Sequence, residues 1–206
     1  MRGFFITFEG PEGSGKSSQA QWLAASLRRR GWRVAFVCDP GSTALGKLTR
    51  RLLLHARRVK ISPMAEALLF ISGRIQLVEE LIRPALAKGR VVICDRFHDS
   101  TVAYQGYGGG VDPVWLDRIG MQAIGGVKPD MTILLDVPTK VGFSRIRGER
   151  DRMERKAQAF HQTVRRGFLS IASRNPGRVT VINATQPKAT IREQALQLVV
   201  KRLEAR

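Results

Sequence analysis

At 206 residues and 43% hydrophobic composition, the chain carries enough apolar surface for one well-packed domain and is short for two. Its 35 Lys and Arg against 17 Asp and Glu give a net charge of +18, which favours anionic partners (nucleotides, nucleic acid, acidic membranes) without choosing among them. Two cysteines, Cys38 and Cys94, with no C-x-x-C and no cluster with the three histidines, argue against a disulfide framework or a zinc site, and no apolar stretch reaches the ~18 residues of a membrane span.

The first predicted element is an apolar strand over Phe4–Phe8. It runs into Gly10-Pro11-Glu12-Gly13-Ser14-Gly15-Lys16-Ser17-Ser18, the spacing G-x-x-x-x-G-K-S, followed by a helical pattern. This is a P-loop in its proper context. The glycines let successive backbone N–H groups turn inward toward phosphate oxygens, and the positive end of the next helix adds to the same spot. Lys16 reaches β- and γ-phosphates and Ser17 can bind Mg²⁺ in such a loop. The following helix buries Ala20, Leu23, Ala24 and Leu27 on one stripe and stops at Gly31.

Further apolar, β-branched runs fall at Trp32–Val37, Val91–Cys94, Met131–Val137 and Val179–Ile182, separated by helical patterns. This rhythm predicts a parallel sheet of about five strands covered by helices on both faces. A long helix is predicted from about Met64 to Lys88, with a break near Pro84. Its apolar residues, among them Leu68, Ile71, Ile75, Val78 and Ile82, cover more than one face and require burial on two sides. A second subunit is the expected cover for one of them. The glycines of Gly106-Tyr107-Gly108-Gly109-Gly110 predict a mobile loop. Final helices are expected over about Glu154–Arg174, stopped by Asn175-Pro176-Gly177, and about Ala189–Leu203. Basic pairs such as Arg57-Arg58 read as solvated helix ends, and His55, His98 and His161 as surface or structural residues.

In a doubly wound sheet, ligands collect beyond the carboxyl ends of the strands. There Asp95-Arg96 follows the third strand, an acid able to hold Mg²⁺ through water and an arginine able to grip a phosphate with two prongs. Further on, Arg145-Ile146-Arg147-Gly148-Glu149-Arg150-Asp151-Arg152-Met153-Glu154 interleaves four arginines with acids around one glycine. Read as a hinged lid, it would close cations over phosphates and exclude water. Read as a salt-bridged exposed helix, it would do neither.

Four segments in order resemble the bacterial thymidylate kinases: Phe8 to Ser17; Asp95-Arg96-Phe97 with Ser100-Thr101-Val102-Ala103-Tyr104-Gln105-Gly106; the basic segment from Arg145 to Glu154; and Asn183-Ala184-Thr185-Gln186-Pro187. The resemblance spans nearly the whole chain and implies a P-loop nucleoside monophosphate kinase fold, one domain over residues 1–206 with a mobile lid at about 145–154. It implies transfer of the γ-phosphoryl group of ATP to dTMP with Mg²⁺, a step in dTTP synthesis; the lack of a membrane span and the two apolar faces of the long helix add the expectation of a cytoplasmic homodimer. It also implies parts for single residues. Gly10 to Ser18 would hold ATP phosphates, with Thr185 and Gln186 bordering the adenine. Glu12 would accept the sugar 3′-hydroxyl, Phe70 would stack on thymine and Arg74 would bond a base carbonyl. Arg96 would hold the substrate phosphate, Ser100, Thr101 and Gln105 would line the base pocket, and Tyr104 would lie under the sugar. Ser17 and Asp95 would serve the metal. Because the P-loop has no arginine between its glycines, Arg147, or else Arg152, would supply charge at the transition state.

Two departures stand out. The family pattern Arg-Glu-Pro-Gly-Gly-Thr after the second strand reads Cys38-Asp39-Pro40-Gly41-Ser42-Thr43 here, so a phosphate-binding arginine is replaced by Cys38, and Phe97 stands where a tyrosine is usual. The alternatives are a kinase for another nucleoside monophosphate and a P-loop-derived nucleic-acid-binding protein. Neither nucleic acid nor a membrane is the expected partner.

Overall fold

A computed structural model describes residues 3–56 and 59–205; Arg57 and Arg58 lie outside them. Five strands form one parallel sheet: β1 (Phe4–Glu9), β2 (Val34–Cys38), β3 (Val91–Asp95), β4 (Met131–Asp136) and β5 (Val179–Asn183), in the spatial order β2-β3-β1-β4-β5. All five match predicted apolar runs. The reversal of direction on either side of β1 creates the crevice in which such sheets bind ligands.

Alternation along β1 divides the core. Phe4, Ile6 and Phe8 pack with Leu23 and Leu27 of α1 (Lys16–Arg29) and with Ile191 and Val199 of a C-terminal helix over Lys188–Glu204. Phe5 points to the opposite face, where it meets Val92, Cys94, Leu77, Val78 and Ile82. Both faces are thus buried, as a parallel sheet requires.

Beyond β2, α2 (Ala44–Arg50) begins at Thr43, whose hydroxyl accepts the Gly46 N–H, and runs on through a wide π-type turn, Arg51–His55. The predicted long helix is present as α3 (Pro63–Leu77), a π-type turn Val78–Ile82, and α4 (Arg83–Ala87). Pro84 is the second residue of α4, directly after the π-type turn, so the helix changes from π-type to α-type geometry where the break was expected. Two expectations differ from the structure. The first part of the glycine-rich segment is helical, α5 (His98–Thr101) continued by a π-type turn Val102–Gly108, and Gly109 and Gly110 follow that turn. Its glycines serve close packing: a side chain at Gly108 would strike Phe160 and Val164. The helix predicted from Glu154 starts later, as Gln158–Arg174, because Asp151 takes the N–H groups of Met153 and Glu154 and turns the chain there. Between these lie α6 (Pro113–Ala123) and α7 (Thr139–Ser144); the last two helices are α8 (Gln158–Arg174) and α9 (Lys188–Glu204).

Candidate active site

A cleft of about 710 Å³ opens at the carboxyl ends of β1, β2 and β3. One of its walls is the P-loop. Gly13 has φ 68° and presses on the backbone of Gly142 in α7, so neither position has room for a side chain. Gly15 precedes α1 with no side-chain cap, which leaves first-turn N–H groups to a ligand. Lys16 is buried and donates to the Pro11 carbonyl at 2.8 Å and to Ser14 Oγ at 3.3 Å. Burial first, and then the neighbouring Arg96 charge, lower its pKa to about 8.

Arg96 is the pivot. Its backbone stands at φ 65°, a left-handed conformation costly for a residue with a side chain. The surroundings hold it there: its N–H donates to Phe8 O, and its guanidinium donates to Gly10 O at 3.2 Å, to Ser100 Oγ at 3.1 Å and to both oxygens of Glu12 at 3.2 Å. Burial opposes the Arg96 charge, but Tyr104, Glu12, Glu9 and Asp95 raise its pKa overall. Glu12 in turn accepts the Tyr104 hydroxyl at 2.6 Å. Burial pushes its carboxyl up, and the charges of Arg96 and Lys16 outweigh that and hold it below the usual range. Of the proposed metal residues, Asp95 has a buried Oδ1 with no hydrogen-bond partner, and it lines the cleft with Ser17. Among the described residues no group of three His, Cys, Asp or Glu side chains stands together as a metal cage.

The deeper part of the cleft is lined by Phe70, Arg74, Thr101 and Gln105. Arg74 is 1% exposed, and it is oriented on three sides by Asp39, by Thr101 Oγ1 at 2.9 Å and by His98 Nδ1 at 3.3 Å. Its guanidinium also lies 5.4 Å over the Phe97 ring, which packs edge-on against Phe5. That apolar seat explains why Phe97 is accommodated without a hydroxyl. His98 and His161 are both buried. Asp136 is engaged by both prongs of Arg165, at 2.7 and 2.8 Å.

Most predicted site residues therefore converge. The two lid arginines do not. Arg147 is exposed and outside the cleft wall. Arg152 is bound to Glu66 Oε1 at 2.6 Å and to Leu53 O at 2.7 Å. Thr185 bonds Asn183 and Gln186 bonds Gln194 on the loop before α9, to which the lid's first stem is tied by Arg145 donating to Ala184 O at 2.8 Å.

Three residues escaped the sequence reading. Glu9 is buried at the end of β1 and accepts Phe97 N–H at 2.7 Å and Ser100 Oγ at 2.6 Å; burial, with Asp99 adding to it, raises its pKa to about 8. An acid closing an otherwise apolar strand was the available signal. Arg50 lines the cleft beside Cys38 and donates to Pro40 O at 3.2 Å. It was hidden among the basic residues of α2. Glu66 was hidden as an ordinary charge near a helix start.

The family model for thymidylate kinase matches residues 8–195. The chain belongs to the thymidylate kinase family. It is 44% identical over 193 residues to a thymidylate kinase of Desulfovibrio desulfuricans, covering 89% of this chain and 88% of that one. It is 42% identical over 207 residues to that of Trichlorobacter lovleyi, covering 97% and 98%. The crystal structure of the thymidylate kinase of Ehrlichia chaffeensis superposes with a TM-score of 0.79 at 33% identity, over 97% of this chain and 99% of that one. The fold is accordingly that of the P-loop nucleoside monophosphate kinases, and a thymidylate kinase is an ATP-dependent enzyme of that class. No helix among the described residues is long and apolar enough to cross a membrane.

Proposed function

We propose that this chain transfers the γ-phosphoryl group of ATP to dTMP, giving dTDP and ADP. The observation that carries the reading is one cleft joining a P-loop lysine, the strained Arg96 and a recess with Phe70 and Arg74 on its wall. Phosphoryl transfer needs positioning and charge more than covalent chemistry. The P-loop N–H groups and Lys16 would bind the ATP phosphates, with Ser18 and the Thr185–Gln186 loop flanking the nucleotide. Arg96 would hold the acceptor phosphate, with Arg50 supplying a second cation where Cys38 supplies none. Glu12 would take the sugar 3′-hydroxyl while orienting Arg96, and Tyr104 would lie under the sugar. Phe70 would stack on the base, Arg74 and Gln105 would bond its polar edge, and Ser100 and Thr101 would fix Arg96 and Arg74.

The chemistry of the donors fits Mg²⁺: a hydroxyl and an unpartnered carboxylate oxygen, completed by phosphates and water. When bound, the ion neutralises charge on the phosphates. Ser17 and Asp95 are the residues proposed to hold it. Arg147, on a lid over about 145–154, is proposed to meet charge developing at the transition state; Arg152 is already committed to Glu66.

A homodimer is supported by one surface. Leu45 and Leu48 of α2, Met64, Leu68 and Ile75 of α3, and Val114 of α6 are all exposed, on helices that pack side by side. The activity is tested by coupled ADP release with dTMP, dUMP, CMP and GMP as acceptors. Preference for dTMP supports the reading, and equal or better turnover of another acceptor assigns the recess to that base.

A further inference from the structure

Glu66 stands on the first turn of α3 with its carboxylate turned inward and 1% of the residue exposed. Three side chains converge on it. Gln105 Nε2 approaches at 3.3 Å from the helix that lines the base recess, Arg152 Nη1 at 2.6 Å, and Lys156 Nζ at 3.3 Å from the far end of the lid segment. One and two helical repeats along the same face of α3 come Phe70 and Arg74, the recess wall. Arg152 also anchors the chain through its N–H to Leu54 O at 3.0 Å and its Nε to Leu53 O, while Lys156 lies 4.5 Å over the Phe160 ring. Beside these anchors Asp151, Met153 and Glu154 line the cleft. The segment carrying Arg147 is therefore held at both ends, at Ala184 by Arg145 and at Glu66 by Arg152 and Lys156.

We infer that Glu66 is a positioning residue that links occupancy of the base recess to the setting of the lid. This rests on the proposal above that Gln105 lines the recess and that Arg147 acts from the lid. The reason is electrostatic. Two cations share this carboxylate, and their side chains are 17% and 25% exposed, so each has a path to water. Removing the carboxylate leaves both cations unpaired beside a buried site, and they turn outward, carrying the strap with them. The same change releases Gln105 from the carboxylate that orients it.

The test is a double-mutant cycle of Glu66→Gln with Arg152→Met, read by kcat, by KM for dTMP, and by tryptic cleavage at the exposed Arg145, Arg147 and Arg150 with and without dTMP. Arg152→Met should lower kcat. Glu66→Gln should lower kcat roughly tenfold, the scale of coupling between contacting residues, and raise KM as well. Added to Arg152→Met, it should cost little more kcat yet still raise KM. Bound dTMP should slow lid cleavage in the parent and not in Glu66→Gln. Equal kcat losses from Glu66→Gln in both backgrounds, or undiminished protection by dTMP, would overturn the inference. Should Glu66→Gln alone not fold, the pair, which removes both charges, carries the same protection test, and retained protection overturns the inference there too. If the parent prefers a different acceptor, the activity reading has failed separately, and the cycle is run with that acceptor.

Discussion

Loss of an arginine at position 38 should be invisible to the substrate as long as Arg50 is present. Both residues line the cleft, and Arg50 is close enough to oppose the rise of the Cys38 pKa, which burial and Asp95 push to about 11. A charge-assisted contact to a phosphate is worth roughly 1.5–3 kcal/mol. Because Arg50 is exposed to solvent, the lower end applies, so Arg50→Met should weaken dTMP binding about tenfold. Cys38→Arg alone should gain little. Two guanidinium groups sharing one phosphate would stand about 5 Å apart, and at an effective dielectric constant of about 20 their repulsion reaches about 3 kcal/mol, comparable with the new contact. In the Arg50→Met background that repulsion is gone, and Cys38→Arg should recover most of the lost affinity. KM for dTMP and calorimetric Kd at one fixed ionic strength decide the matter. Unchanged binding in Arg50→Met, or a tenfold gain from Cys38→Arg with Arg50 in place, would refute the reasoning.

Other outcomes follow from the same geometry. Arg147→Ala should lower kcat far more than it raises KM for dTMP, as expected of a group acting on transition-state charge; a pure KM effect would remove it from that role. Light scattering at micromolar concentration should report a mass near twice 22.9 kDa, and Leu68→Glu should shift it toward one copy; a monomeric parent would leave the exposed α2, α3 and α6 side chains without that explanation. Lys16 has a pKa lowered to about 8 in the ligand-free protein, and the negative charge of ATP should raise it again. Binding at pH 8 should therefore take up to about half a proton at this site, fading by pH 6.5 where Lys16 is already charged. Calorimetry in buffers of different ionisation enthalpy measures this uptake, and a signal unaltered in Lys16→Ala would assign it to another group.

Sheet and P-loop were legible because their signals are local. Each strand is a short apolar run, and the spacing of Gly10, Gly15 and Lys16 is itself the shape of the loop. The glycines at 106 to 110 misled for a physical reason. Glycine lowers local helix propensity, but here it is the tertiary neighbours, Phe160 and Val164 against Gly108 among them, that require a position without a side chain. Arg96 stood out by its place after the third strand, whereas Arg74 and Tyr104 were named only through family resemblance, since periodicity does not distinguish a core arginine from a binding one. Glu9, Arg50 and Glu66 were not, because what sets them apart is who their partners are: Ser100 is 91 positions from Glu9, and Arg152 is 86 from Glu66. Separations of that length leave no mark on a single chain read in order. The lid arginines share the difficulty. Arg147 and Arg152 look alike in sequence, and only the contacts with Leu53, Leu54 and Glu66 separate an anchored residue from an exposed one.

The central claim is tested most directly by following the phosphoryl group itself. With γ-labelled ATP and dTMP, the parent protein should place the label on the outer phosphate of dTDP. Lys16→Ala, folded by circular dichroism, should not. Label released as inorganic phosphate regardless of dTMP, or dTDP labelled at a near-parental rate by the folded Lys16→Ala protein, would contradict the account.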